Sequence, residues 1–334
     1  MVNLMYRDLI HKKGKLLLIL IGLSVSVFLV QYSAGMFNGV LTQSSELFDR
    51  FESDTWIRQE DNDNFLDGGF IDDDTYNAIK NLNEIEDIER LIYEQFDVQT
   101  KEEVGYAFLI GYELDSEVIE PWNVIKGDVD DLERDDTIIV DQSLKNYFPD
   151  LKIGDKLQVG REDMEVVGFC KNARFMFNPY IWASLDTARK AAPYLGNWSS
   201  TFAVELDSHS DIEDLRDELD DLKDLELIED VDVFTKEELK ENTYDMIVNE
   251  GGLGGAIYIL VGMGFFVSII ILTVVMYQSI QEKIPEFGTL KAIGASKRYL
   301  TMMLLGQVFL YITISFLLGT FLAVMVNIMQ MESA

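Results

Sequence analysis

The sequence predicts an α+β membrane protein: three transmembrane helices carrying a large extracytoplasmic mixed α/β domain with split βαβ units and a β-rich insert. Three observations lead there. First, Asp, Glu, Lys and Arg are absent from residues 16–45, 251–281 and 299–331. Each run exceeds the ~20 apolar residues that a helix needs to cross a bilayer, and each is too long and too uniformly apolar for a buried core helix. Second, the net charge of −32 is segregated: residues 46–250 hold 55 acids against 19 bases. Third, that same stretch alternates short strand patterns, amphipathic helix patterns and turn residues.

Basic residues near the span ends orient the chain. Residues 1–15 carry Arg7, Lys12, Lys13 and Lys15 against Asp8, and residues 279–300 carry Lys283, Lys291, Lys297 and Arg298 against Glu282 and Glu286. Both segments are therefore expected in the cytoplasm. The resulting plan is a cytoplasmic amphipathic helix over 1–15, a first span over 16–40, an extracytoplasmic domain over 41–250 and a second span over 251–278. A cytoplasmic loop over 279–300, a third span over 301–328 and a short external tail over 329–334 follow. The first span also has the basic flank of a signal peptide, but about 25 apolar residues is long for one, and a retained anchor is the reading adopted.

Within the external domain, Thr55–Arg58 reads as a strand, Asp72–Leu82 as a short helix and Ile88–Val98 as a strand. Thr201–Leu206 reads as a strand before a helix over Ser210–Leu225, whose Ile212, Leu215, Leu219 and Leu222 share one face. Val231–Phe234 returns as a strand. Strand–helix–strand at both ends suits split βαβ units. Between them, Thr137–Val140, Lys156–Val159 and Glu165–Phe169 are strand patterns, set off by turn clusters at Gly154-Asp155 and Gly160–Asp163, hence the β-rich insert. Thr235-Lys236-Glu237-Glu238 fits a capping box opening a helix toward Asn249. Gly251, Gly252, Gly254 and Gly255 then interrupt the chain before the second span, as a flexible joint or as a helix end.

Little in the chain points to chemistry of its own. His11 and His209 are the only histidines and Cys170 the only cysteine, which excludes an internal disulfide, a multi-histidine metal site and a His-based triad. Asp61–Gly68 has the spacing of a calcium loop, but Phe65 stands where a ligand oxygen is required. Asn197-Trp198-Ser199 is a glycosylation sequon. No phosphate-binding glycine loop, cofactor site, metal site or nucleic-acid surface is read, and no enzymatic activity is expected. The spans hold no ionisable residue, which argues against a proton- or sodium-driven carrier. Their small residues Gly22, Ser24, Ser26, Gly262 and Gly264 are expected to let helices approach.

The loop between the second and third spans is different. Ile284, Phe287, Leu290 and Ile293 fall three apart as an apolar stripe, with Glu286, Thr289 and Lys291 away from it. Pro285 suits a first helical turn, Lys291 a last turn, Gly294 a left-handed C-terminal cap and Ser296 the cap of the next helix. A short amphipathic helix with its own two ends is expected, resting on a protein groove or on lipid.

Glu286-Phe287-Gly288-Thr289-Leu290-Lys291-Ala292-Ile293-Gly294-Ala295-Ser296 resembles the loop after the second span of FtsX-like ABC-transporter permeases, which include MacB-type proteins; Phe287, Lys291 and Ala295-Ser296 are most like the DevC branch. The likeness continues in Leu4–Lys15, Asp54-Thr55-Trp56-Ile57, Pro121-Trp122-Asn123 with Gly127, Ile139-Val140-Asp141, Ile153-Gly154-Asp155 and Val166-Val167-Gly168. It implies a permease subunit coupled to a separate cytoplasmic ABC ATPase, through Ile284, Glu286, Phe287, Gly288, Leu290, Lys291, Ile293, Gly294 and Ala295. It also implies a homodimer in the lipid bilayer of the cell membrane and, for export, a membrane-fusion adaptor or other envelope protein as partner. An FtsX-type regulator of cell-envelope enzymes is the alternative. The family has four spans, so a fourth is expected beyond the three read here.

Overall fold

The computed structural model describes residues 13–333 except Glu52, Glu117, Met176, Phe177 and Gly251. The amphipathic helix expected over 1–15 therefore lies almost wholly outside the described residues. Two compact units divide the chain: Gly39–Gly251, and Met1–Asn38 with Gly252–Ala334.

The larger unit begins with the end of helix α1 (Lys13–Asp49) and strand β1 (Thr55–Gln59). Then come β2 (Ile71–Asp72), α2 (Asp73–Ile79), β3 (Ile85–Gln99), β4 (Val104–Tyr112), β5 (Val124–Lys126) and β6 (Thr137–Asp141). After these follow β7 (Lys156–Val159), β8 (Glu162–Cys170), β9 (Arg174–Phe175), β10 (Asn178–Ser184), α3 (Leu185–Lys190) and β11 (Trp198–Ser199). The unit closes with β12 (Thr201–Leu206), α4 (Ile212–Asp224), β13 (Val231–Thr235) and α5 (Lys236–Asp245). Strand β8 starts at Glu162, three residues earlier than expected, because the two-residue turn Gly160-Arg161, with Gly160 at φ +58°, makes the reversal.

Four strands stand in the order β13-β1-β12-β3, each antiparallel to its neighbour. So β1 and β3 run parallel with β12 between them, and β12 and β13 run parallel with β1 between them. With α2 and α4 as the connections, these are two interleaved split βαβ units, the ferredoxin-like arrangement. Leu215 and Leu219 of α4 are buried against Ile57, Phe202 and Val233, with Ile212 and Leu222 at the margin. The α4 N-terminus is held by an Asp211/Asp214 capping box and that of α5 by the Thr235/Glu238 box.

The insert between β3 and β12 closes on itself. Strand β3 pairs with β4, β4 with β10, β10 with β6, β6 with β8, β8 with β7 and β7 with β3. Ile92, Leu109, Ile138, Leu157, Val166 and Ile181 from all six strands share one buried cluster, as alternation along closed strands requires. The opposite faces of several of these strands carry Tyr93, Phe108, Tyr180 and Trp182, which join Phe48, Phe51, Trp56 and Phe65 in an aromatic core. Phe65 stacks on Phe48 at 3.9 Å between ring centroids, so the residue that breaks the calcium-loop pattern is a core residue. Around it, Asn64 Oδ1 accepts from the Leu66 and Asp67 amides, and buried Arg58 donates to the carbonyls of Asn62 and Asp67. The loop is thus wired to itself and to Arg58. Cys170 is fully buried, and burial pushes its thiol pKa up, with Asp141 adding to the shift.

The second unit comprises the first part of α1, helix α6 (Leu253–Ala292) and helix α7 (Lys297–Ser333). All three helices are long and apolar enough to cross a membrane, and all are longer than the spans expected from the sequence. In α1 the helix continues to Asp49 because Leu47 and Phe48, past the expected end at 40, belong to the apolar core of the larger unit. Before α6, Gly252 takes a left-handed φ of +68°, while Gly254 and Gly255 lie inside the helix. The interruption is confined to a helix end.

Small residues make the contacts between the long helices, with one exchange. A Cβ on Gly22 would meet Ile271 Cδ1 at 3.0 Å, and one on Gly264 would meet Val30 Cγ2 at 2.9 Å. Gly262 has nothing within 4 Å, whereas Gly319, not anticipated, would place a Cβ 2.7 Å from Val27 Cβ and 2.8 Å from the Ser24 carbonyl oxygen. Beside it Gln31 Nε2 donates to Thr320 Oγ1 at 3.0 Å. Gly319→Val is therefore expected to separate α1 from α7. Cysteines at Gln31 and Thr320 should cross-link through a short bismaleimide in the parent and in Gly262→Val, and lose that cross-link in Gly319→Val. Equal cross-linking in all three would show that Gly319 does not set the approach.

Candidate functional site

Helix α6 does not stop at the membrane boundary expected near residue 278. It runs unbroken to Ala292, with Pro285 in its interior rather than in the first turn of a separate helix. Gln278, Ser279, Gln281, Glu282 and Lys283 supply no stop signal, so the apolar helix propagates through them. Pro285 removes one N–H and costs about 3 kcal/mol locally, but it does not end the helix.

The end of the helix is set by Gly294, as its type and position predict. It takes φ +103°; its amide donates to the Lys291 carbonyl at 3.1 Å, and the Ala295 amide donates to the Leu290 carbonyl at 2.9 Å. These two bonds form a Schellman closure. Ser296 then caps α7, its hydroxyl accepting from the Tyr299 amide at 3.2 Å. The reversal between two long helices occupies four residues, Ile293 to Ser296.

The apolar stripe is corrected by the structure. At 3.6 residues per turn a three-residue step falls about 60° short of a full turn, so three steps carry Ile293 to the side opposite Ile284. Phe287 and Leu290 are half-buried, while Ile284 is 53% and Ile293 84% exposed. Lys291, one turn beyond Phe287, lies on its side rather than away from it. Glu286, Gly288, Lys291 and Gly294 are exposed, Ala295 is half-buried, and a Cβ on Gly288 would meet nothing within 4 Å. The structure therefore gathers Phe287, Leu290 and Lys291 on neighbouring sides and separates Ile284 from Ile293.

Two residues were missed. Tyr277, 64% exposed, and Ile280, 37% exposed, precede Ile284 by seven and four residues, which places them along its face. Their signal was present in the spacing, but it is visible only when the span and the loop are read as one helix.

A family model for the MacB-like periplasmic core domain matches residues 16–222, and one for the FtsX-like permease C-terminal region matches residues 258–333. The chain belongs to the MacB/FtsX-like ABC permease family. Solved structures of similar proteins include the periplasmic region of MacB from Actinobacillus actinomycetemcomitans, at 12% identity over 61% of this chain and 98% of that one, with a TM-score of 0.42. The extracellular domain of the noncanonic ABC-type transporter YknZ from Gram-positive bacteria matches at 14% identity over 55% and 99%, with a TM-score of 0.39. A domain of a putative permease from Porphyromonas gingivalis matches at 15% identity over 55% and 88%, with a TM-score of 0.36. No curated protein matches the chain in sequence. This permease is a membrane protein with an extracytoplasmic domain, and permeases of its family work with a cytoplasmic ATPase.

Proposed function

We propose that this permease transmits the motion of a separate cytoplasmic ATPase, through the α6–α7 reversal, to its extracytoplasmic domain, in a DevC-like export complex built on a homodimer. The observation that carries the reading is the form of that reversal. A membrane helix prolonged to Ala292 and closed by a Schellman turn at Gly294 is a stiff lever end with exposed side chains. A flexible loop would absorb displacement; a capped helix passes it on.

Mild-detergent purification of the native complex, with partners identified by mass, tests this. A cytoplasmic ATPase with a membrane-fusion adaptor supports export. An ATPase with a cell-wall hydrolase would replace export with envelope regulation, and recovery of the permease without any ATPase would overturn the coupling role.

The reading also requires the extracytoplasmic domain, residues 41–250, and the α6–α7 reversal on opposite sides of the membrane, as the Lys/Arg bias predicts. Ser208 and Gln281 are both exposed and serve as labelling positions for the two sides. An impermeant thiol reagent applied to intact cells should label Ser208→Cys and leave Gln281→Cys unmodified until the membrane is opened. Labelling of Gln281→Cys alone would invert the topology. Buried Cys170 gives a silent background.

A further inference from the structure

The extracytoplasmic domain contains a groove of about 370 Å³ whose lining has no part in the coupling reading. Its floor is β3 from Glu94 to Gln99; Phe70 stands at one side, and the Gly160-Arg161 turn and the Ala191–Leu195 segment form the rest. The frame is fixed by backbone bonds. The Gly160 amide donates to the Asp97 carbonyl and the Arg161 amide to the Ala191 carbonyl, both at 3.0 Å. Gly160 is needed at this point, because at φ +58° a Cβ would fall against the Ala191 carbonyl oxygen and 3.0 Å from Phe96 Cδ1.

Two features of the lining select a ligand. The first is Glu94, a half-buried carboxylate that makes no ion pair among the described residues. The chain makes room for it: a Cβ on Gly68 would lie inside its carboxylate. Burial pushes its pKa up to about 6, even though backbone hydrogen bonds at Gln95 and Gly69 and the charge of Arg58 act the other way. Arg58 acts on this carboxylate only through its charge, its guanidinium donating to the Asn62 and Asp67 carbonyls, so a cation entering the groove would be the first among the described residues to pair with Glu94 directly. The second feature is aromatic surface: Phe70 and Tyr194 are 45% and 66% exposed, and the Arg161 guanidinium already sits 4.7 Å from the Tyr194 ring centroid. That face accepts a cation. Asp97 contributes its backbone carbonyl to the frame, while strand alternation turns its side chain to the face opposite Glu94.

We propose that this groove binds an organic cation, an alkylammonium or guanidinium carried beside an apolar body, with Glu94 as the charge partner and the Tyr194 and Phe70 rings taking the apolar part. The excess of 55 acids over 19 bases in residues 46–250 draws such cations toward the domain, while the groove selects the ones with an apolar body. The cation can belong to a free amphiphilic amine or to a Lys or Arg side chain of a peptide.

Calorimetric titration of the full chain in detergent tests both sources, with phenethylammonium and acetyl-Phe-Arg-Phe-amide as probes and phenethyl alcohol and acetyl-Phe-Gln-Phe-amide as neutral counterparts. At least one cationic probe should bind with a Kd on the order of 1 mM or tighter, and the neutral ones should not. Binding of phenethylammonium as tight as that of the peptide assigns the site to free amines; binding of the peptide alone assigns it to peptides. Glu94→Gln should weaken binding about tenfold and Tyr194→Ala by a similar factor, with unchanged tryptophan emission reporting an intact fold. Asp217→Asn, an exposed acid on α4 outside the groove, should change little. Equal binding of neutral and cationic probes, equal loss in Asp217→Asn and Glu94→Gln, or no binding by either cation would overturn the proposal.

Discussion

Gly127→Ala is expected to destabilise the extracytoplasmic domain by about 3 kcal/mol or more. Two costs combine there. Gly127 follows β5 at φ +84°, where an L side chain is strained, and its added Cβ would lie 2.7 Å from Gly168 Cα and closer still to the Val167 carbonyl oxygen. Those atoms belong to β8, which cannot retreat. It pairs with β5, β6 and β7 at once, and its Val166 is fully buried in the closed insert. Gly154→Ala separates the two costs, because Gly154 has φ +92° but nothing within 4 Å. It carries only the conformational cost, about 1 kcal/mol. For a unit of this size each kcal/mol moves the midpoint by roughly 2–4 °C, so the two variants should differ clearly in thermal unfolding. All four tryptophans, Trp56, Trp122, Trp182 and Trp198, lie in this domain, so their emission follows it alone. Equal shifts in both variants would mean that close approach to β8 is not what Gly127 provides.

That glycine also shows where sequence reading reaches and where it ends. Local patterns located what local physics controls. The strand at Thr201–Leu206, the α4 face of Ile212, Leu215, Leu219 and Leu222, and the Thr235/Glu238 capping box are decided within a few residues of chain. The split βαβ arrangement followed because strand–helix–strand recurs at both ends of the domain. Closure of the insert did not follow. It depends on pairs such as Val98 with Val159, and no periodicity in either segment announces its partner. The close approach at Gly319 was missed for the same reason, since it is set by Val27 and Ser24 of another helix. At the candidate site, the end of the helix was legible because Gly294 carries its own backbone preference. Its beginning was not, because Pro285 is a local signal overridden by forty residues of continuous helix. The apolar stripe failed on geometry: steps of three resemble a helical repeat over one interval and drift off the face over three.

Substitutions at Phe287 and Gly294 are expected to affect coupling in different ways, and the difference follows from what each residue does in the reversal. Phe287 is a half-buried aromatic on the exposed end of α6, with Lys291 one turn beyond it. As the anchor in an ATPase groove, its truncation to alanine should cost about 2 kcal/mol, roughly thirtyfold in affinity, measured as ATPase recovered with the permease. Gly294 has open space around it, so Gly294→Val meets no clash in this chain. Its cost is conformational: a β-branched residue resists φ +103°, and the bonds from Gly294 to Lys291 and from Ala295 to Leu290 are expected to open with it. ATPase should still bind Gly294→Val, because Phe287 lies two turns earlier on an intact helix. Stimulation of ATP hydrolysis by the permease should fall toward the unstimulated rate, because a lever with a loosened end no longer holds α7 in register with α6. A reversal that instead lies on lipid predicts the opposite pattern, with ATPase recovery unchanged in Phe287→Ala. Full recovery together with full stimulation in both variants would remove the α6–α7 turn from the coupling path and leave the ATPase contact to be sought elsewhere on the cytoplasmic side.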